Sequence, residues 1–327
     1  MKTTKLIKNM ILMGLVGITV LTGCGTKDDD KIKIGITQIV EYSALDENRE
    51  GFIKALEDNG YKDGENIDID FQNAQGDIST TQTIAKNFVS QNKDLVFAIS
   101  TPSAQAAYNS TKDIPIVISA VTDPVSAGLV KSLEEPNTNI SGTCDYVPVN
   151  KQLELVKTLI PYAKKIGVIY NTSEVNSEVQ VNELKKYCKE YGYSVVEAGV
   201  TSTNEVNTAI SSLVSKVDVL YAPTDQLVVS SMPIIVQKTL EKKIPIIASE
   251  KGSVELGALA TCGINYYELG YESGKMAVEV LKGEDISKMP VKEGKEMEII
   301  INEDTLKDLS IKKPDDERIV YINTNSL

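Results

Sequence analysis

The chain has 327 residues, with 34 Lys plus Arg against 46 Asp plus Glu, no His and no Trp, for a formal net charge of −12. The missing imidazole removes Ser-His-Asp and Cys-His catalysis, His metal ligation and His pH switching. The acidic balance opposes a phosphate-binding surface, so nucleic acid is not expected as a partner.

Lys2, Lys5 and Lys8 form a basic region ahead of the apolar run Ile11–Leu21. That run has the length of a signal-peptide core and is short for a membrane span. It ends in Leu21-Thr22-Gly23-Cys24, small residues before a thiol that can take a lipid, and these four residues resemble the bacterial lipobox. Residues 1–23 are therefore expected to be a lipoprotein signal peptide. Residues 24–31 are expected to be the lipidated Cys24 and a tether carrying Asp28, Asp29 and Asp30. No later stretch is long and apolar enough to span a membrane. Cys144, Cys188 and Cys262 have no metal-ligand spacing and read as buried small hydrophobes, with one disulfide left open.

From residue 32 onward strands and helices alternate. Ile32–Ile36 reads as a strand, and 46–59 as a helix with Phe52, Ile53 and Leu56 on one face, stopped by Asn59-Gly60. A strand at 67–71, a helix at 80–91, the apolar strand 95–99, a helix at 103–110 and a strand at 114–121 follow. Continuous apolar strands separated by helices indicate a parallel sheet covered on both faces. The pattern then recurs. Lys165-Ile166-Gly167-Val168 echoes Lys33-Ile34-Gly35-Ile36, and Tyr191-Gly192-Tyr193 echoes Asn59-Gly60-Tyr61. Asp218–Ala222 echoes Asp94–Ala98, and Lys243–Ile247 echoes Asp113–Val117. The expected fold is α/β, two doubly wound Rossmann-like lobes joined by a multi-strand hinge. Lobe 1 is expected over 32–145 plus 250–284, and lobe 2 over 146–249 plus 285–327.

Ligands of open parallel sheets bind outside the carboxyl ends of the strands. In lobe 1 those ends carry Gln38 and Tyr42, then Ser100, Thr101 and Ser103, then Asp123. In lobe 2 they carry Asn171, Ser173, Glu174, Asn176 and Ser177, then Thr224 and Asp225, then Glu250. Hydroxyls at a helix start attract a carboxylate, and a facing acid accepts from an ammonium group, so the set suits a zwitterion. Taken singly, Ser103 or Ser173 reads as an ordinary helix cap. Tyr42, Tyr146 and Tyr266 are candidate stacking partners for an apolar ligand group.

The lipobox, acidic tether and duplicated lobes resemble a substrate-binding lipoprotein of an ABC importer with a type I periplasmic-binding-protein-like fold. Ser100-Thr101-Pro102, Val121-Thr122-Asp123-Pro124, Ile169-Tyr170-Asn171 with Glu174 and Asn176-Ser177, and Pro223-Thr224-Asp225 resemble its aromatic amino acid subfamily. The resemblance implies a tyrosine, tryptophan or phenylalanine ligand, with Asn171, Ser173, Asn176 and Ser177 around its carboxylate and Asp225 at its amine. Gln226 departs from the Asn that family members often carry there. The implied partner is an ABC permease, and the implied place is the outer face of the bacterial cytoplasmic membrane, reached through the lipid on Cys24. A monomer without catalysis, metal or cofactor is expected. Carboxylate-pair chemistry stays open on composition. A surface adhesion role is the other alternative. Gly270–Met276 is one residue short of a phosphate loop and reads as a helix with small packing residues.

Overall fold

The computed structural model describes residues 31–294 and 297–324. The expected signal segment, Cys24 and the tether up to Asp30 lie outside the described residues. The first half runs β1 (Ile32–Gln38), α1 (Ser43–Asp58), β2 (Ile67–Asn73), α2 (Ile78–Ser90), β3 (Leu95–Ile99), α3 (Thr101–Ser110), β4 (Ile116–Ser119) and β5 (Ile140–Cys144). The second begins with α4 (Val149–Leu159), β6 (Lys165–Asn171), α5 (Val175–Tyr191), β7 (Ser194–Val200), α6 (Thr203–Leu213) and β8 (Val219–Ala222). It continues through α7 (Gln226–Ser230), α8 (Met232–Glu241), β9 (Ile246–Ala248), α9 (Lys251–Glu255) and β10 (Ala260–Ile264). Then come α10 (Tyr266–Leu281), β11 (Lys292–Glu293), β12 (Met297–Asn302), α11 (Glu303–Asp308) and β13 (Ile319–Ile322).

The strands form two sheets, ordered β11-β5-β4-β3-β1-β2 and β13-β12-β10-β9-β8-β6-β7. Within them β2-β1-β3-β4-β5 and β7-β6-β8-β9-β10 have the same order, and every neighbouring pair in both runs is parallel. The echo in the sequence is thus one half built twice. In each half the order reverses beside β1 or β6, which places a crevice at the carboxyl ends of those strands.

The division between lobes differs from the expected one. β10 extends the second sheet beside β9, so 250–264 belongs with lobe 2. β11 pairs with β5 at the edge of the first sheet, so 285–294 belongs with lobe 1. The chain passes between the sheets three times: between β5 and α4, between β10 and α10, and between β11 and β12. Strand periodicity marks β10 as buried but says nothing about which sheet edge receives it.

Each lobe has its own apolar packing. In lobe 2, Val168, Tyr221 and Ile247 face one side of the sheet, and Ile169, Leu220 and Ile246 the other, the period-two alternation of a strand covered on both faces. In lobe 1, Phe52 of α1 stacks on Phe97 of β3 with ring centroids 3.7 Å apart. Gly270–Met276 lies inside α10, which packs on α1 so closely that a Cβ on Gly270 would run into the Asn48 carbonyl. Among the described residues no helix is long and apolar enough to cross a membrane. Cys144, Cys188 and Cys262 are buried free thiols.

Candidate functional site

The lobe 1 wall of the crevice is built where β3 turns into α3. Ser100 sits at φ 83°, ψ 158°, a backbone region occupied almost only by glycine and costing about 1–3 kcal/mol. Its amide donates to the Ser119 carbonyl at 3.0 Å, which ties the strained turn to the end of β4. The turn leaves Ser100 at the N-cap of α3 without a side-chain capping bond. The Ser100 and Ser103 hydroxyls are fully buried, and neither has a partner in the chain. Two buried hydroxyls and the free amides of a ten-residue helix converge there, a local potential that suits a carboxylate.

The lobe 2 wall is a connected polar network. Asp225 caps α7 and is fully buried. Its Oδ2 accepts from the Asn171 amide at 2.5 Å and from the Ser177 hydroxyl at 2.7 Å, and its Oδ1 accepts from the Val228 amide at 2.9 Å. Glu174 accepts from the Asn171 side chain at 3.0 Å, the Gln226 amide at 3.1 Å and the Asn176 side chain at 3.3 Å. Asn176 also donates to the Thr224 carbonyl at 2.7 Å, and the Thr224 amide donates to Gln180 at 3.0 Å. Burial, with the Asp225 charge adding to it, pushes the Glu174 carboxyl up to about 7. Burial also raises Asp225, opposed by its bonds from Asn171, Ser177 and Val228. Those three donors favour the charge on Asp225, so Glu174 is the better proton holder of the two. The side-chain carbonyl oxygens of Asn176 and Gln226 are buried without a partner.

The hinge side carries Tyr42, Asp145, Glu250 and Tyr266. The Tyr266 hydroxyl donates to Asp145 Oδ2 at 2.7 Å. Glu250 caps α9, accepting on Oε1 from the Ser253 amide at 2.7 Å and from the Ser253 hydroxyl. Burial raises Asp145, and it pushes Glu250 up to about 7. The Tyr42 hydroxyl is buried without a partner.

Toward solvent the crevice opens into a cavity of about 400 Å³ lined from lobe 1 by Ile39, Ile78 and Pro102 and from lobe 2 by Ser173, Glu174 and Leu227. The lobes also touch directly. Ser43 of α1 donates to Glu255 of α9 at 2.6 Å, and Lys251 of α9 reaches Glu47 of α1 at 2.8 Å. The contact needs Gly252, where a Cβ would lie 2.8 Å from Glu250 Oε2 and 2.9 Å from Ser43 Oγ.

Two lobes of one topology enclosing a polar crevice are an architecture shared with proteins that capture small solutes. Residues 33–322 match the family model described as ABC transporter substrate binding protein. The chain belongs to that family. This substrate-binding protein is 59% identical, over 98% of its length and 97% of the relative's, to a protein named tyrosine-binding protein from Clostridioides difficile (strain R20291). Among solved structures it resembles the ligand-free, open form of a substrate-binding protein with adhesive properties from Clostridium difficile, with 63% identity, 90% of this chain and 99% of that one covered, and a TM-score of 0.70. It also resembles a domain from Streptococcus pneumoniae in complex with L-Trp, with 38% identity, 89% and 100% covered, and a TM-score of 0.85. The better superposition goes with the lower identity, so the lobes stand nearer to the arrangement of the tryptophan complex than to that of the open form.

The strand-end residues of this substrate-binding protein divide by whether their polar atoms are already engaged. Tyr42, Ser100, Asn176 and Glu250 each keep a buried polar atom without a partner in the chain. Thr101 is buried in the first turn of α3, and Ser173 lines the mouth. Asn171, Glu174, Ser177, Thr224 and Asp225 form the internal network that holds the lobe 2 wall in shape. Three others turn to local work. Gln38 donates to the Val40 carbonyl and to Asp46 and accepts from Arg49. Asp123 closes its own turn, accepting from the amides of Val125 and Ser126. Tyr146 donates to Glu183 of α5 at 2.6 Å. Asp145 and the Gln226 side chain join the site without having been singled out as binding residues. Asp145 obeys the strand-end rule after β5, but the stretch 140–149 reads first as a crossover.

Proposed function

We propose that this substrate-binding protein takes one aromatic amino acid into the crevice between its lobes and delivers it to an ABC permease. In this reading it is held by a lipid on Cys24 at the outer face of the bacterial cytoplasmic membrane. The observation that carries the ligand class is the set of buried, unpartnered polar atoms on both walls, Ser100 and Ser103 on one and Asn176 and Gln226 on the other. Buried polar groups are normally paired, and a solute that meets both walls pairs them while drawing the lobes together. The α-carboxylate belongs at the start of α3. The apolar lining of the mouth suits the ring. Tyrosine ranks first, because a relative named for it matches nearly the whole chain.

The site binds without turnover. Its acids are engaged in hydrogen bonds that hold the walls, and the ligand should be recovered unchanged. Isothermal titration with L-tyrosine, L-tryptophan and L-phenylalanine tests the reading. One site per chain and tightest binding of tyrosine are expected, and no heat with any of the three would sink the aromatic assignment. With no Trp in the chain, tryptophan binding can be followed by its own fluorescence.

A second role in adhesion draws on the relative with adhesive properties. Attachment to cells that persists after ligand binding is abolished would separate the two roles.

A further inference from the structure

Two buried carboxylates on the hinge side remain outside the wall network. Glu250 follows β9 in lobe 2 and is fully buried. Its Oε1 is taken by Ser253, while its Oε2 has no partner in the chain. Asp145 follows β5 in lobe 1 and is 3% exposed. Its Oδ2 takes the Tyr266 hydroxyl, while its Oδ1 has no partner. Tyr42 and Tyr266 each feel the charges of both acids, so the four side chains form one cluster with a member from each lobe. Among the described residues no lysine or arginine pairs with either carboxylate. Buried acids without a counter-charge are costly. A cation arriving from outside removes that cost, and tyrosine faces add to its attraction.

Asp225, the other candidate partner for a cation, is placed differently. Three donors from Asn171, Ser177 and Val228 already occupy its two oxygens. An ammonium group there would have to displace a bond that holds the wall or the start of α7.

We infer that Asp145 and Glu250, with the faces of Tyr42 and Tyr266, hold the α-ammonium group of the ligand, and that Asp225 is a positioning residue. The inference rests on the amino acid reading of the crevice but not on the identity of the side chain. It sets one ligand orientation. The α-carboxylate meets Ser100 and Ser103 at the end of β3, and the ammonium group meets Asp145 at the end of β5 in the same sheet. Glu250 closes on it from the other lobe, and the side chain points to the mouth between Ile78, Pro102 and Leu227.

The test compares L-tyrosine with its deaminated analogue, 3-(4-hydroxyphenyl)propionate, by isothermal titration of the full chain. The wild type is expected to favour tyrosine by about 100-fold, as a charge-assisted pair with two acids allows. Glu250→Gln and Asp145→Asn should each cut that ratio by about tenfold, chiefly through tyrosine. Glu250→Asp, which keeps the charge, should recover part of it. Asp225→Asn should weaken both ligands by the same factor and leave the ratio intact. Circular dichroism confirms that each variant is folded before it is compared. A ratio that collapses in Asp225→Asn and survives in the other two would overturn the inference. A wild type that binds a different amino acid, with the same loss in Glu250→Gln, would remove the aromatic reading and keep the ammonium site. A wild type that binds no amino acid would remove both.

Discussion

At the scale of single residues, the chemistry of the crevice is decided by which lone pairs are already spent. Asp123, Asp225 and Glu250 all follow strands and all read as acids facing one place. Asp123 spends its oxygens on its own turn, Asp225 on three neighbours, and Glu250 keeps one free. The same accounting carries a pH prediction. Burial holds Glu250 at about 7 in the folded chain against an ordinary 4.5. Around it stand Ser253 and Glu255 of α9, Tyr42 from lobe 1 and Tyr266, while Lys251 is turned to Glu47 and Glu255. The folded state therefore keeps a proton to higher pH than the unfolded state. That stability is fully present below about 4.5 and lost as pH rises through about 7. Glu174, also held at about 7, acts in the same direction. The ligand-free protein should lose roughly 2–5 °C in Tm between about pH 5 and about pH 8. An ammonium group favours the charged carboxylate, so the Tm gain on adding tyrosine should grow over the same range. Thermal denaturation with and without tyrosine checks both trends, and Glu250→Gln should flatten them.

At the scale of elements, the periodicity of the apolar positions was enough to place α1, α2, β3 and their repeats, because a buried face writes itself into local spacing. Helix starts were less legible. α1 and α3 begin two or three residues before their expected starts, since Ser43 and Thr101 enter the helix from strained or extended turns that no residue type announces. α10 is the element whose sequence invites a wrong chemistry. Its Gly-rich run serves contact with α1, where Gly270 meets the Asn48 carbonyl. Gly270→Val should therefore force the helices apart and cost about 3 kcal/mol. The fall would be read as a lower urea midpoint, with a smaller loss for a valine at the open-turn glycine Gly60, where nothing lies within 4 Å of a Cβ.

At the scale of the whole molecule, two lobes and three crossings make a hinge, and the contacts between α1 and α9 close it on the side away from the crossings. Lys251 sits 34% exposed between Glu47 and Glu255, so each pair contributes about 1 kcal/mol or less and is screened by salt. Lys251→Ala should weaken tyrosine binding by roughly two- to fivefold at low salt, with the effect fading in about 1 M NaCl. Small-angle scattering should show a decrease in radius of gyration on adding ligand to the wild type, and Lys251→Ala should need more ligand to reach it. Unchanged scattering at saturation would argue against closure.

The sequence by itself determined the α/β class, the repeated half, the strand ends as the place of the site and the family that the motifs resemble. These are local or repeated patterns, and burial of one face or one turn is enough to imprint them. Only the tertiary structure decided which sheet receives β10, which acids are spent as caps and which buried oxygens stay open in the crevice. Each of those depends on competition among donors and edges far apart in the chain. Ser253 or Val228 at three residues' distance and Tyr266 at the far side of the chain decide the fate of a carboxylate in the same way, by arriving within hydrogen-bond reach, and only the folded chain says which of them arrives.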